Sequence, residues 1–292
     1  MKLFGLFLLL GLPSLAYGNS LTLYFYPSPK GIDWSTPRAL TASTFANQAA
    51  GESHSIGHVN IELFCDQGKI HELTGTTGAE TSEVTRLLFR EQVGLGLFFH
   101  TFADGRLYRP GEITAELPER YATGNLTFLE YLVSEPTCLR LKRYLDEYRA
   151  RGLDRFYGLS NRPRAGEGAG CSAFGASALE IAGLLDPVYR RHWSIALRVP
   201  RRAVGGHLTG LRVPVRRVLL APVGRRWAAE GEAGFPLFFW SPDRMHGWVQ
   251  RAWDSEKELP PLPYRRGRRG NALGFTFDAR LIPTPTEPIW EG

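Results

Sequence analysis

The run CSAFGASALEIAG, Cys171 to Gly183, constrains the fold more than any other stretch of this chain. Phe174, Leu179 and Ile181 stand among alanines, serines and glycines, with Glu180 as the only charge. A helix that is apolar or small almost all round has to be buried against a sheet. Its approach, AGEGAG, is glycine-rich, and it should stop before Asp186-Pro187. Cys171 therefore opens a helix, where unpaired N–H groups and the positive end of the dipole favour thiolate over thiol. The plainer role for the same residue is a small side chain in a helix that needs small side chains.

Residues 1–18 read as a secretory signal peptide: Lys2, an apolar block from Leu3 to Leu12, Pro13, then small residues at Ala16 and Gly18. The block is too short to span a bilayer, and no later stretch reaches the roughly 20 apolar residues that spanning needs. The mature chain is then expected to start near Asn19 and to be exported, periplasmic or secreted. In an oxidising compartment an odd cysteine count leaves one thiol over. Cys65 and Cys138 can pair and leave Cys171 free, a pairing that depends on Cα separations the sequence does not give. The formal charge is +6, and ten arginines fall between Arg190 and Arg226. Such a basic region suits an anionic polymer, an acidic peptide or lipid headgroups as partner, or is a solvated surface. Export makes nucleic acid a poor partner.

The rest of the chain reads as an α+β layer, with helices packed on one antiparallel sheet. LTLYFYP, from Leu21, is a strand, followed by a polar loop to about Ile56 and a strand pair, GHVNIEL and GKIHEL. GLGLFFHTF and DGRLYRP form a hairpin turning at Asp104-Gly105. From Phe128 to about Arg151 the apolar residues follow the helical period, interrupted at Pro136. HWSIALRVP and LRVPVRRVLLAPV return to strand, and the aromatic FPLFFW, MHGWVQRAW and PPLPY cover the sheet or close over a pocket. No clean linker appears: residues 19–205 hold the chemical core, and 206–292 extend the same body.

A thiol nucleophile needs a base. His58 opens GHVNIEL, where Val59, Ile61 and Leu63 alternate with His58, Asn60 and Glu62, so the imidazole stands on the polar face of a half-buried strand. With a turn at Cys65-Asp66, His71 falls opposite Asn60 and diagonal to His58. A one-residue slip sends His71 to the other face and leaves Asn60, Glu62 or Glu72 to orient the base. His54, His192, His207 and His246 have no partner at metal-binding spacing, and His100 lies in an apolar stretch. Neither a metal nor a cofactor is expected.

GHVNIELFCDQGKIHE is similar to the His-strand, turn, polar-strand signature of NlpC-type, papain-like cysteine hydrolases, and CSAFGASALEIAG resembles their nucleophile helix. Here the Cys helix follows the His strand by more than a hundred residues, the order of the circularly permuted branch that includes lecithin:retinol acyltransferase-like proteins. The resemblance implies a permuted papain-like fold with Cys171 as nucleophile, His58 as base and His71 as orienter. It implies acyl transfer through a thioester, with the oxyanion held by the Cys171 backbone N–H and a side-chain donor, for which Asn161 and Tyr157 are candidates. The glycines at 166, 168 and 170 either let a substrate backbone come close or make a flexible entry to the helix. Three functions are then expected in order: an exported amidase or peptidase acting on cell-envelope peptide bonds, a lipid-directed thiol acyltransferase or esterase, and a binding module without chemistry.

Overall fold

The computed structural model describes residues 18–51, 53–78 and 81–291. All but the last residue of the expected signal peptide lies outside them. The first strand, β1 (Ser20–Tyr26), is buried along its whole length. Leu21, Leu23 and Phe25 face one side, while Thr22, Tyr24 and Tyr26 face the other, so β1 sits inside a sheet covered on both faces. The following segment, read from sequence as a polar loop, contains helix α1 (Pro37–Ala49). The Thr36 hydroxyl accepts from the Ala39 amide, and Pro37 sits in the first turn.

Next come β2 (His58–Cys65), β3 (Ile70–Thr74) and the two-residue β4 (Thr76–Thr77), then a short helix α2 (Thr81–Thr85). The expected hairpin at Asp104-Gly105 does not form. Leu95–Phe99 coils into a 3-10 helix, and β5 (Arg106–Leu107) pairs with β4 instead. Helix α3 (Pro110–Thr123) leads to β6 (Thr127–Leu132), which occupies the start of what the sequence pattern reads as helix. The helical part, α4 (Glu135–Ala150), begins after Ser134, whose hydroxyl accepts from the Thr137 amide. Pro136 thus lies in the first turn, where its missing N–H costs nothing.

Helix α5 (Cys171–Ile181) and α6 (Pro187–Trp193) precede β7 (Ser194–Pro200). The segment expected as a further strand is helical, α7 (Val215–Leu220), and is followed by β8 (Gly234–Trp240), α8 (Pro242–Ser255), β9 (Tyr264–Arg269) and β10 (Ala272–Asp278).

The main sheet has the order β3-β2-β1-β6-β10-β9. It is mixed, not antiparallel throughout: β10 lies parallel to β6, and every other neighbour is antiparallel. The C-terminal residues therefore supply two strands of the sheet that begins with Ser20. Helices α4, α5 and α8 cover one face, and α3 covers the other over Tyr24, Tyr26 and Phe128. Burial of each Leu, Val or Phe at these faces contributes about 1.5–3 kcal/mol. A separate two-stranded ribbon, β7–β8, has its own apolar cluster of Ile195, Val199, Val213, Val218, Leu237 and Phe239. Among the described residues no helix is long and apolar enough to cross a membrane.

Cys65 at the end of β2 and Cys138 in α4 form a disulfide with Cα atoms 5.8 Å apart, leaving Cys171 as the free cysteine. That resolves the pairing left open by the sequence.

Candidate active site

Helix α5 has no side-chain cap: Gly170 precedes it in an extended conformation, so its first amides remain available around Cys171. It lies against β2 because Gly175 has no side chain; a Cβ there would come within 2.6 Å of Val59 Cγ1. Ser172 fixes the same helix end to the ribbon through a 2.6 Å bond from its hydroxyl to the Trp240 carbonyl. In the approach loop, Gly168 has φ +76°, and a Cβ there would lie 2.3 Å from the Phe156 carbonyl oxygen. Close packing against its own chain is what requires a glycine at that position.

The Cys171 thiol is 4% exposed and meets the backbone N–H of Val59, the residue next to His58. The Tyr157 hydroxyl lies 3.8 Å from Sγ. Burial pushes the Cys171 pKa up, against the lowering effect of the Val59 N–H, the Tyr157 hydroxyl and the N–H groups of Ser172 and Cys171 itself. The resting group is a thiol. The helix amides act towards thiolate as expected, and desolvation outweighs them.

His58 is 4% exposed. Its Nε2 lies 2.9 Å from Asn60 Oδ1, on the same face of the same strand. Facing a carbonyl oxygen, Nε2 carries the hydrogen, and Nδ1 is left as the basic atom. Burial first, then the neighbouring His54 and Arg120, push the His58 pKa well below its usual value, while Asn60 opposes this. His58 is therefore neutral at pH 7.

His54 stacks on His58 with ring centres 4.4 Å apart, and its Nε2 is 2.9 Å from Glu116 Oε2. His54 has φ +60°, a backbone conformation that costs energy in a non-glycine residue and persists where its surroundings hold it. The Tyr108 ring meets His58 edge-on at 5.2 Å, and Cys171 is among the groups that raise the Tyr108 pKa after burial. Tyr108 thus links the two groups: it meets the His58 imidazole, which carries an amide on one nitrogen, and acts on the Cys171 thiol, beside which Tyr157 lies. Sequence reasoning missed His54, Glu116 and Tyr108; the one local signal was a histidine four residues before His58.

His71 is not in this cluster. The β2–β3 connection runs over Asp66–Lys69, with Cys65 paired to Ile70, so His71 falls opposite Phe64 rather than Asn60. Relative to the expected turn the register moves by four residues. An even shift keeps His71 on the same face as His58 but leaves it six residues further along β2, roughly 20 Å away. There it stacks on Phe64 at 4.1 Å and lies 3.0 Å from Glu62.

Of the alternative orienters, only Asn60 lies against His58. Glu62 is bound by the Tyr24 hydroxyl and His71, and Glu72 by Arg149 and Lys142. Asn161, the other candidate for oxyanion donor, is tied down through one of its two amide N–H groups and its oxygen. Its amide nitrogen donates to the Glu167 carbonyl at 2.6 Å, and its oxygen accepts from Thr101. Tyr157, whose hydroxyl lies beside Sγ, is held by backbone bonds to Phe102 in both directions, and its ring packs so closely on Gly78 that a Cβ there would come within 2.3 Å.

A cleft of about 420 Å3 runs along α5, lined on one side by Ala173 and Ala176 and on the other by Phe238, Phe239 and Trp240. No family model, no curated protein and no solved structure matches the chain.

Proposed function

We propose that this protein is an exported cysteine hydrolase on a circularly permuted papain-like fold, acting on cell-envelope peptide amide bonds through a thioester. The observation that carries the reading is the His58–Asn60 pair on β2, the strand against which α5 packs with the buried Cys171 thiol at its first turn. Nδ1 of His58 takes the proton of Cys171 as sulfur attacks the carbonyl carbon, so no standing ion pair is needed. The oxyanion accepts from the Cys171 N–H and the Tyr157 hydroxyl. Collapse expels the amine, which receives the proton from His58. Water, giving a proton to the same nitrogen, then attacks the thioester; the acid leaves and the thiol is restored.

The Cys65–Cys138 disulfide supports export, because such bonds persist in oxidising compartments. The aromatic wall of the cleft along α5 favours a second reading, a lipid-directed acyltransferase or esterase whose acyl chain lies on Phe238–Trp240.

The test is turnover of purified peptidoglycan fragments and, separately, of a fatty-acyl ester. Release of new amino termini from the former, abolished in Cys171→Ala, supports the amidase. Release of fatty acid alone supports the lipid enzyme. No turnover of either by the folded wild type contradicts both and leaves a binding module.

A further inference from the structure

The ten arginines between Arg190 and Arg226 do not form one face. Arg190 lies over the Phe238 ring, Arg198 donates to the Glu232 carbonyl, and Arg212 donates to the Arg90 carbonyl. Four others, Arg201, Arg202, Arg225 and Arg226, converge on a cleft of about 700 Å3 at the outer end of the β7–β8 ribbon. Its lining includes Trp227, whose Nε1 donates to the Trp34 carbonyl.

Glu232 is the one carboxylate on the lining, and it is already engaged. Both its oxygens accept from Arg226, at 2.6 and 2.7 Å, and one accepts from the Ala229 amide. Arg201, Arg202 and Arg225 are exposed and bridge no carboxylate among the described residues. Four cations less one anion leave the lining at a net charge of +3.

The backbone that carries these side chains is tied down. The Arg201 amide bonds to the Ala233 carbonyl, Ala228 to Arg198, and Arg225 to Pro222. Four cations on a fixed scaffold with one counter-charge, Glu232, still repel one another, and a multivalent anion relieves that repulsion. Guanidinium forks match phosphate oxygens in pairs.

We propose that this cleft binds a phosphate-bearing ligand of charge −2 or more, through Arg201, Arg202 and Arg225, with Trp227 on the same lining. The site is separate from the thiol. β8 runs from the cleft, at Gly234, to Trp240 at the Ser172 hydroxyl, a span of roughly 20 Å. The proposal stands without the hydrolase reading. The ligand's phosphate belongs either to a soluble phosphate ester or to a lipid headgroup.

The experiment measures inorganic pyrophosphate binding to the full chain at low ionic strength by calorimetry and by Trp fluorescence. A second arm measures sedimentation with phosphatidylcholine vesicles, with and without phosphatidic acid. Saturable pyrophosphate binding is expected, at least 10-fold weaker in Arg201→Gln/Arg225→Gln and unchanged in Arg191→Gln/Arg265→Gln, which removes the same charge elsewhere. Sedimentation that needs phosphatidic acid and is competed by pyrophosphate assigns the lipid source; pyrophosphate binding without it assigns the soluble one. Absence of pyrophosphate binding by the folded wild type overturns the proposal without any variant. Equal loss in the control pair, or citrate binding as tightly as pyrophosphate, also overturns it.

Discussion

Asn60 Oδ1 lies 2.9 Å from His58 Nε2, on the same strand two residues away. Because β2 alternates, that spacing puts amide and imidazole on one face without help from another strand. The bond fixes the ring and its tautomer together and leaves Nδ1 as the base. The expected arrangement places a second histidine from β3 against the ring; in the structure the group on the ring is local, and its geometry does not depend on hairpin register.

On the proposed hydrolase reading, Asn60→Ala is expected to lower kcat by roughly 10–100-fold with KM little changed, because the base loses orientation while the cleft along α5 is untouched. His71→Ala, roughly 20 Å away, should leave kcat within about 2-fold and cost no more than about 0.5 kcal/mol of stability. Steady-state kinetics on both variants checks the pair. A reversed order would restore the β3 histidine to the site.

Tyr157→Phe removes the hydroxyl beside Sγ while keeping the ring that packs on Gly78. Loss of one oxyanion donor predicts a fall in kcat of roughly 100–1,000-fold. The thermal midpoint should move by no more than a few degrees, measured by calorimetry. A kcat within 2-fold of wild type would exclude Tyr157 as a donor.

The disulfide joins β2 to α4 across a separation of 73 residues. In the chain-entropy view its closure is worth about 4 kcal/mol, through restriction of the unfolded chain. Cys65→Ser/Cys138→Ser should lower the urea midpoint accordingly and steepen the slope, because the uncrosslinked unfolded chain exposes more surface. Thiol titration of the unreduced, unfolded wild type should find one thiol, Cys171.

His246 in α8 is buried, and desolvation pushes its pKa down to about 4 from 6.5 despite nearby Asp243. The unfolded chain takes up a proton near pH 6.5 where the folded chain does not, so stability falls as pH drops from 6.5 towards 4. At its full extent this one residue removes about 3 kcal/mol. His246→Leu should flatten the dependence of the thermal midpoint on pH over that window, at the cost of the hydrogen bond the ring makes with the Phe25 backbone. His58, also held neutral by burial, contributes in the same direction.

The parts of the fold that were legible in the sequence are those with strong local periodicity. The alternation in β2 and the small-residue run of α5 name their buried faces directly, and Cys171 and His58 follow from them. Other elements lack such a signal. α1 is largely polar, with only Pro37, Leu40 and Asn47 buried. TFLEYL in β6 fits both periods, and its strand state is decided by partners on both sides, β1 and the distant β10. VRRVLL in α7 has a strand-like composition, yet it packs as one short helix against α1. In the site, the β2–β3 register hangs on a four-residue turn in which Asp66 and Gln67 both take positive φ. His54 and Tyr108 lie outside any periodic segment, and tertiary packing alone brings them to His58.

The central claim is that His58 acts as base for Cys171, a buried thiol in its resting state. The most direct measurement is the rate of Cys171 alkylation by iodoacetamide against pH, in wild type and in His58→Ala of equal thermal stability. At neutral pH the wild type should react about 10-fold faster than the variant, and the two rates should converge as pH rises and the thiol ionises unaided. Identical rates across the whole range would contradict the account.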